Sequence, residues 1–231
     1  MKLGSDLRIV FVIPAYNEQS VVFETIEEVT KAGHQVICID DGSNDNTAQI
    51  ARDAGAIVIS HLINCGQGAA IQTGFDYICK FKMKPDFVVT FDSDGQHTLA
   101  DLTTFLNKFD RNPGLDIVLG SRFLNTNFQG NFLKKVILKI MARLAALTFR
   151  LKITDRHNGY RMINGNVINQ FKLLTPGYGH ADEFLNLINK LKLSYAEVGT
   201  HIIYSQYSRE KGQSLLNGVI MAVDRILFGW K

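Results

Sequence analysis

Residues 8–18 read RIVFVIPAYNE, a short apolar run that ends in a cluster of polar residues, and this arrangement recurs along the chain. Helical patterns separate the apolar runs. The predicted strands are Arg8–Ile13, Gln35–Ile39, Ala56–Ile59, Phe87–Phe91 and Asp116–Leu119. Alternation of this kind predicts an α/β fold with a mostly parallel central sheet flanked by helices. Ligands of such sheets lie beyond the carboxyl ends of the strands, so the polar clusters predict the position of a functional site.

The composition narrows the class of protein. A chain of 231 residues with 46% hydrophobic content can form one large domain. We expect that domain to span 1–214, followed by an amphipathic C-terminal helix at 215–231. The chain has 25 Lys and Arg residues and 22 Asp and Glu residues. These opposite charges are too nearly balanced for a protein that coats nucleic acid, so no nucleic-acid partner is expected.

Cysteines and hydropathy predict a cytoplasmic protein that is soluble or peripheral to a membrane rather than membrane-spanning. The three cysteines show no C-x-x-C spacing, which favours reduced thiols. The N-terminus does not resemble a signal peptide. No uncharged apolar stretch approaches the roughly 18 residues of a membrane span.

Asp92-Ser93-Asp94 is the strongest local signal for chemistry. Two carboxylates one residue apart at a strand end can share a hard divalent cation with diphosphate oxygens, and Gln96 can add a neutral oxygen. The alternative is an ordinary turn, since Asp, Ser and Gly are all turn formers.

Two further polar segments have a functional and a structural interpretation. Asp40–Thr47 follows the second predicted strand and can hold a base or ribose, or serve only as a turn and helix cap. Asn64–Ala70 contains Gly66 and Gly68 before a predicted helix, so its backbone N–H groups can approach a phosphate. It fits neither the dinucleotide-binding nor the P-loop pattern.

Taken in order, the motifs resemble the dolichyl-phosphate mannosyltransferase-like branch of family 2 glycosyltransferases, which act on polyprenyl phosphates. The resemblance covers Ile9 to about Ser214. The motifs that carry it are Val12–Glu18, Asp40–Thr47, Asn64–Ala70, Asp92–His97, Gly120–Phe123, Asp155–Arg161 and Arg209–Ser214.

This resemblance implies a GT-A fold with a Rossmann-like sheet and an inverting displacement that depends on Mg²⁺ or Mn²⁺. Asp92, Asp94 and Gln96 would hold the metal, and Arg122 and Arg209 would contact phosphate. The family usually has a lysine where this chain has Leu215, and Lys211 is the candidate replacement. The remaining nucleotide-sugar contacts that it implies are Pro14, Tyr16, Glu18, Ile39, Asp41, Gly68 and Ser93.

An acid-free interval contains a predicted basic amphipathic helix, Leu133–Lys152, with Lys135, Lys139 and Arg143 on one stripe. Such a helix can lie on an anionic membrane, close to a lipid-phosphate acceptor. The alternative is a domain helix with a solvated charged face. A second apolar face at Leu215–Trp230 can pack on the domain, on lipid or on a small integral membrane partner.

The sequence therefore predicts transfer of a hexose from a UDP- or GDP-sugar to a polyprenyl phosphate. One alternative acceptor is a saccharide hydroxyl in polysaccharide or cell-wall glycan synthesis, and Asp182 is then the candidate general base. A phosphate acceptor is already ionised and needs no base. A third possibility is a non-catalytic scaffold that binds nucleotide-sugar.

Overall fold

The computed structural model describes residues 7–124, 151–175, 177 and 179–203. No helix in these ranges combines the length and the apolar composition that crossing a bilayer requires. The described strands are β1 Ile9–Ala15, β2 Gln35–Asp40, β3 Ile57–Ser60, β4 Phe87–Thr90, β5 Ile117–Ser121, β6 Arg161–Asn164 and β7 Tyr195–Gly199. The described α-helices are α1 Val22–Lys31, α2 Thr47–Asp53, α3 Gln67–Lys80, α4 Leu102–Arg111 and α5 His180–Lys190.

Several predicted features lie outside the described residues. These are Arg209, Lys211, the helix at 215–231, and all of the predicted basic helix except Leu151 and Lys152, which lie in irregular backbone.

The described strands form one seven-stranded sheet in the order β3-β2-β1-β4-β6-β5-β7. Neighbours pair in parallel from β3 to β4 and again between β5 and β7, whereas β6 runs antiparallel to both β4 and β5. The predicted mostly parallel sheet is confirmed. β6 was not predicted, because it has only four residues, begins with Arg161 and follows the polar stretch 155–158.

The strands β1, β2, β4 and β5 are buried on both faces of the sheet, which explains why they are nearly continuous apolar runs. Along β1, Val10 and Val12 pack in the cluster beneath α3 and α5, while Phe11 and Ile13 pack beneath α1 and α4. Gly74 brings α3 close to the sheet, since a β-carbon there would lie 2.4 Å from Cγ1 of Val12. This packing fixes the strand ends, and the candidate site is built on those ends.

Candidate functional site

Asp92 and Asp94 lie in a turn directly after β4, as the sequence predicts. The turn is closed by Gly95, whose φ of 70° is in the left-handed region that glycine adopts easily. The backbone N–H of Gln96 donates to Oδ1 of Asp94 over 3.0 Å. The two carboxylates therefore stand at the carboxyl edge of the sheet, the usual position of ligands in this class of fold.

Asp92 is held from three sides, by Gln67, by His97 and by the backbone of Gly159. The side-chain amide of Gln67, in the first turn of α3, donates to Oδ1 over 2.9 Å. Nε2 of the buried His97 lies 3.0 Å from Oδ2. The backbone of Gly159 closes the third side, since a β-carbon there would lie 2.2 Å from Oδ2. Both carboxylate oxygens thus have a partner inside the protein, which fixes the orientation of Asp92.

The two carboxylates have opposite pKa shifts. Burial alone would raise the pKa of Asp92, but the hydrogen bond from His97 and the nearby charges of His97 and Arg161 bring it below its ordinary value. Burial and the charge of Asp92 raise the pKa of Asp94 to about 6, with a further contribution from Glu18. The carboxylates of Asp92, Asp94 and Glu18 therefore repel one another. A hard divalent cation bound at this site would relieve that repulsion.

Hydrogen bonds between the loop after β1 and the loop after β2 hold the ends of these two strands together. Asn17 adopts a φ of 54°, its backbone N–H donates to Oγ of Ser43, and its Oδ1 accepts from the N–H of Asn44. These bonds leave Tyr16 39% exposed and Glu18 nearly buried beside the Asp94 carboxylate. A nucleoside approaching this edge would meet the ring of Tyr16.

Pro14 and Ile39 are paired neighbours in β1 and β2, one step inside the strand ends. Both are buried, and the side chain of Ile39 packs beneath α3 against Gly74. A nucleoside contact at Ile39 would therefore use its backbone. The sequence motif places these residues near the site but does not reveal which way their side chains face.

Asp41 holds the loop that precedes α3. Its Oδ1 accepts from the N–H of Cys65 over 2.9 Å, its Oδ2 accepts from the N–H of Gly66 over 2.7 Å, and His61 Nδ1 lies 2.7 Å from Oδ1. Gly42 makes the turn possible, because a β-carbon there would lie 2.6 Å from the carbonyl carbon of Ile63. The loop is thereby fixed where Gln67 reaches Asp92 and where Gly68 begins the buried face of α3.

Arg122, predicted to contact phosphate, forms a two-pronged ion pair with Asp155. Its Nε and one terminal nitrogen lie 2.7 and 2.8 Å from the two carboxylate oxygens, and its backbone N–H also donates to Oδ2. Burial would raise the pKa of Asp155, but the charge and hydrogen bonds of Arg122 lower it overall. The pair joins two motifs of the sequence, Gly120–Phe123 and Asp155–Arg161, at the end of β5.

A buried guanidinium lies beneath the site and was not predicted from the sequence. Arg161 is 3% exposed, its guanidinium lies 4.4 Å from the Phe184 ring centre, and one terminal nitrogen has no hydrogen-bond partner among the described residues. Burial lowers its pKa to about 10, although Asp92, Asp155 and Asp182 oppose that shift. Its positive charge offsets part of the negative charge of the carboxylates above it. The motif Asp155–Arg161 contains this arginine, but only the fold shows that its guanidinium lies beneath the carboxylates.

Asp182 lies in the first turn of α5, is 5% exposed and forms an ion pair with the guanidinium of Arg156. Its neighbour His180 donates from Nδ1 to the carbonyl of Gly177. Burial and the charge of Arg161 lower the pKa of His180 to about 4, so its imidazole is neutral at pH 7. The contact with Arg156 occupies Oδ1 of Asp182.

The chain beyond β7 runs back to the Asp94 loop. The N–H of Ile203 donates to the carbonyl of Gln96 over 2.8 Å, and His201 bonds to the buried Asp101 through both its backbone N–H and Nδ1. No sequence pattern indicates the His201–Asp101 contact. The described chain thus ends beside the acidic loop, six positions before Arg209. Arg209, Lys211, Lys135, Lys139 and Arg143 all lie outside the described residues.

Comparison of the sequence with known families and proteins gives consistent matches. The model of the family described as Glycosyl transferase family 2 matches residues 10–171. An uncharacterized protein of Methanocaldococcus jannaschii is 31% identical over 214 residues, covering 90% of this chain and 86% of the relative. A UDP-N-acetylglucosamine–dolichyl-phosphate N-acetylglucosaminyltransferase of Methanococcus voltae is 29% identical, and the match covers 93% of each chain.

Solved structures show the same fold at lower identity. Mannosyl-3-phosphoglycerate synthase from Rubrobacter xylanophilus matches with a TM-score of 0.64 and 20% identity, over 96% of this chain and 74% of that one. Glucosyl-3-phosphoglycerate synthase from Mycobacterium tuberculosis, in complex with Mn²⁺, UDP-glucose and phosphoglyceric acid, matches with a TM-score of 0.64 and 18% identity, over 96% and 78%. These likenesses confirm the GT-A fold predicted from the sequence.

Proposed function

The chain belongs to glycosyl transferase family 2 and is a glycosyltransferase, and on that premise we propose that it transfers a hexose from a UDP- or GDP-sugar to a polyprenyl phosphate at the cytoplasmic face of a membrane. The Methanococcus voltae relative, named for UDP-N-acetylglucosamine and dolichyl phosphate, supports both substrates. UDP-N-acetylglucosamine is accordingly the first donor to test.

The observation that carries the proposal is the acidic site at the end of β4. Asp94 is the direct ligand that we assign to Mg²⁺ or Mn²⁺, because burial and then repulsion from Asp92 raise its pKa to about 6, and a cation would offset that repulsion. Asp92, with both oxygens already bonded to Gln67 and His97, positions the site and offers at most a remaining lone pair. The carbonyl oxygen of the Gln96 side chain is the neutral ligand in this assignment. The bound metal supplies positive charge at the diphosphate.

The proposed reaction is a single displacement at the anomeric carbon. An oxygen of the acceptor phosphate forms the new bond to that carbon as the bond to the donor diphosphate breaks, and the nucleoside diphosphate leaves with the electron pair. Arg122, oriented by Asp155, is placed to stabilise the growing charge on a phosphate. Tyr16, Glu18 and Asp41 line the approach that we assign to the nucleoside.

Asp182 bears on the choice of acceptor. A saccharide hydroxyl must lose a proton during the reaction, and a general base for it needs an available carboxylate. Asp182 is instead buried in an ion pair with Arg156. A polyprenyl phosphate is already ionised and needs no base, so this contact favours the phosphate acceptor over the glycan hydroxyl.

The experiment that tests the proposal is a matrix of donors and acceptors. The protein is incubated with UDP-N-acetylglucosamine, UDP-glucose, GDP-mannose or other nucleotide-sugars, Mn²⁺, and either a short polyprenyl phosphate or a soluble oligosaccharide. We expect a chloroform-soluble glycosylated product with one donor. A product found only with the oligosaccharide would contradict the phosphate acceptor, and binding without any turnover would indicate a scaffold.

A further inference from the structure

Residues 200–203 form a strap that leads from the end of β5 to the turn after β4. The backbone N–H of Thr200 donates to the carbonyl of Ser121 over 3.0 Å. Three positions later, the N–H of Ile203 donates to the carbonyl of Gln96 over 2.8 Å. The strap therefore connects the strand end that leads into the predicted phosphate-contacting arginine with the turn that carries the acidic residues.

The turn after β4 depends on such outside support because its own backbone is permissive. The chain turns at Gly95, whose φ is 70°, and glycine restricts its backbone less than any other residue. Gln96 is held at both of its backbone groups, since its N–H donates to Oδ1 of Asp94 and its carbonyl accepts from the strap. The strap is thus linked through Gln96 to the carboxylate that we assign to the cation.

His201 fastens the strap to the segment that follows the turn. Its backbone N–H donates to Oδ2 of Asp101 over 2.7 Å, and its Nδ1 lies 2.7 Å from Oδ1. Asp101 is 3% exposed and ends the short 3₁₀ helix Leu99–Asp101. Both oxygens of a buried carboxylate are therefore bonded to one residue of the strap, and the strap holds the segment around the turn at Gln96 and at Asp101.

Apolar packing does little to hold the strap beyond Thr200. The side chain of His201 is 60% exposed, and Ile203 is 51% exposed. Hydrogen bonds to a charged group are stronger than those between neutral groups. The contact of His201 with the Asp101 carboxylate is accordingly the main anchor of this end of the strap among the described residues.

We propose that His201 is a positioning residue for the cation site. Through Asp101 and the strap, it keeps the turn after β4 in the conformation in which Asp94 receives the cation of the donor diphosphate. His201 acts through these contacts and needs no contact of its own with cation or donor. The proposal rests on the proposed function, which supplies the cation, and it adds to the Asp94 side of the turn the kind of support already described for Asp92.

Calorimetry of Mn²⁺ binding in the presence of UDP or GDP tests this role. His201→Ala should weaken Mn²⁺ binding by about tenfold, because a hydrogen bond to a buried charged group is lost. His201→Asn carries an amide N–H close to the position of Nδ1 and should restore most of the affinity. The metal-free melting temperature of both variants should fall by at most about 4 °C, since exposed pairs contribute little to stability. In transfer assays, His201→Ala should raise KM for the nucleotide-sugar and leave KM for polyprenyl phosphate unchanged.

The bond from the strap to Gln96 provides a second test. Ile203→Pro removes the N–H donor, whereas Ile203→Val keeps it. The proline variant should lose Mn²⁺ affinity as His201→Ala does, and the valine variant should bind like the parent. Because both changes act on the same strap, the double variant should lose less than the product of the two single losses.

Arg8→Ala is the matched control. Arg8 is also exposed and also touches one aspartate through its backbone N–H, at 2.8 Å from Oδ2 of Asp86, and through its side chain, at 4.0 Å. It precedes β1, at the opposite edge of the sheet. Its replacement should leave Mn²⁺ binding unchanged, and a loss equal to that of His201→Ala would show a general effect of destabilisation and overturn the proposal.

The outcomes separate this proposal from the proposed function. Parental Mn²⁺ affinity in His201→Ala, or a folded His201→Asn that binds no better than His201→Ala, would overturn the positioning role and leave the proposed function intact. A parent that binds no Mn²⁺ with either nucleotide would overturn both. Circular dichroism checks the fold of each variant, and if His201→Ala does not fold, the pair Ile203→Pro and Ile203→Val decides.

Discussion

Gly159 lies so close to Asp92 that a β-carbon at position 159 would stand 2.2 Å from Oδ2 of Asp92. The neighbouring atoms cannot retreat freely. Thr90 donates to the carbonyl of Gly159 over 2.6 Å, and His97 holds the same carboxylate oxygen from the other side. The backbone at 159 therefore forms one wall of the acidic site, and its lack of a side chain sets the position of Asp92.

Gly159→Ala should displace Asp92 and lower both turnover and Mn²⁺ affinity, while costing about 1–3 kcal/mol of unfolding free energy through overcrowding. Mn²⁺ titration calorimetry and thermal unfolding measure the two effects. Gly114→Ala is the matched control, since no atom of the described residues lies within 4 Å of a β-carbon there. Wild-type Mn²⁺ affinity in Gly159→Ala would contradict the role of this wall.

Asp94→Asn should reduce turnover by at least about 100-fold, because an amide cannot neutralise the cation. The same change should stabilise the metal-free protein by about 1–2 kcal/mol at pH 7.5. The raised pKa of about 6 means that ionised Asp94 is unfavourable in the fold, so its stabilising contribution is present at low pH and lost as pH rises through 6. Thermal unfolding with and without Mn²⁺ should show a gain for the parent on adding metal and none for the variant. Near-normal turnover in Asp94→Asn would show that the metal assignment is wrong.

Cation binding should depend on pH through Asp94. Protons compete with the cation for this carboxylate, so the Mn²⁺ association constant should be nearly level above pH 7 and fall below pH 6, by at most about tenfold per unit. Calorimetry between pH 5 and pH 8 measures the dependence. An association constant that does not change across pH 6 would place the ligand elsewhere.

The sequence predicted the part of the fold that depends on local burial. β1, β2 and β4 are apolar runs buried on both faces, and their predicted positions agree with the structure to within two residues at each end. β6 was not predicted, because it is a run of only four residues with the polar Arg161 and Asn164 at its two ends. Only its pairing with β4 and β5 makes it a strand. Local pattern carries no information on such long-range pairing.

The residues of the candidate site were likewise predicted only in part. Asp92 and Asp94 were found because two carboxylates one residue apart form a recognisable motif. The contacts of Gln67 and Gly159 with Asp92 could not be predicted, because these residues belong to segments 25 or more positions away in sequence. Motifs show which groups are chemically able to act, and the packing of α3 and β6 against β4 determines which of them touch.

The predicted basic helix, Leu133–Lys152, leads to a separate prediction about binding to membranes. Replacing Lys135, Lys139 and Arg143 by Gln should weaken binding to anionic vesicles by about 1 kcal/mol for each residue, because each charge attracts acidic headgroups. Vesicle co-sedimentation at low and high salt measures this, and donor binding should not change. If the triple variant binds vesicles as the parent does, the stripe is an ordinary solvated face and attachment must come from another segment.

Transfer of labelled sugar to a short polyprenyl phosphate, with Mn²⁺ and UDP-N-acetylglucosamine as the first donor, is the decisive measurement of the proposed activity. We expect a labelled lipid product that requires both the metal and an intact Asp94, and that persists in Asp182→Asn because a phosphate acceptor needs no base. No lipid product with any nucleotide-sugar, together with efficient labelling of an oligosaccharide that Asp182→Asn abolishes, would contradict it.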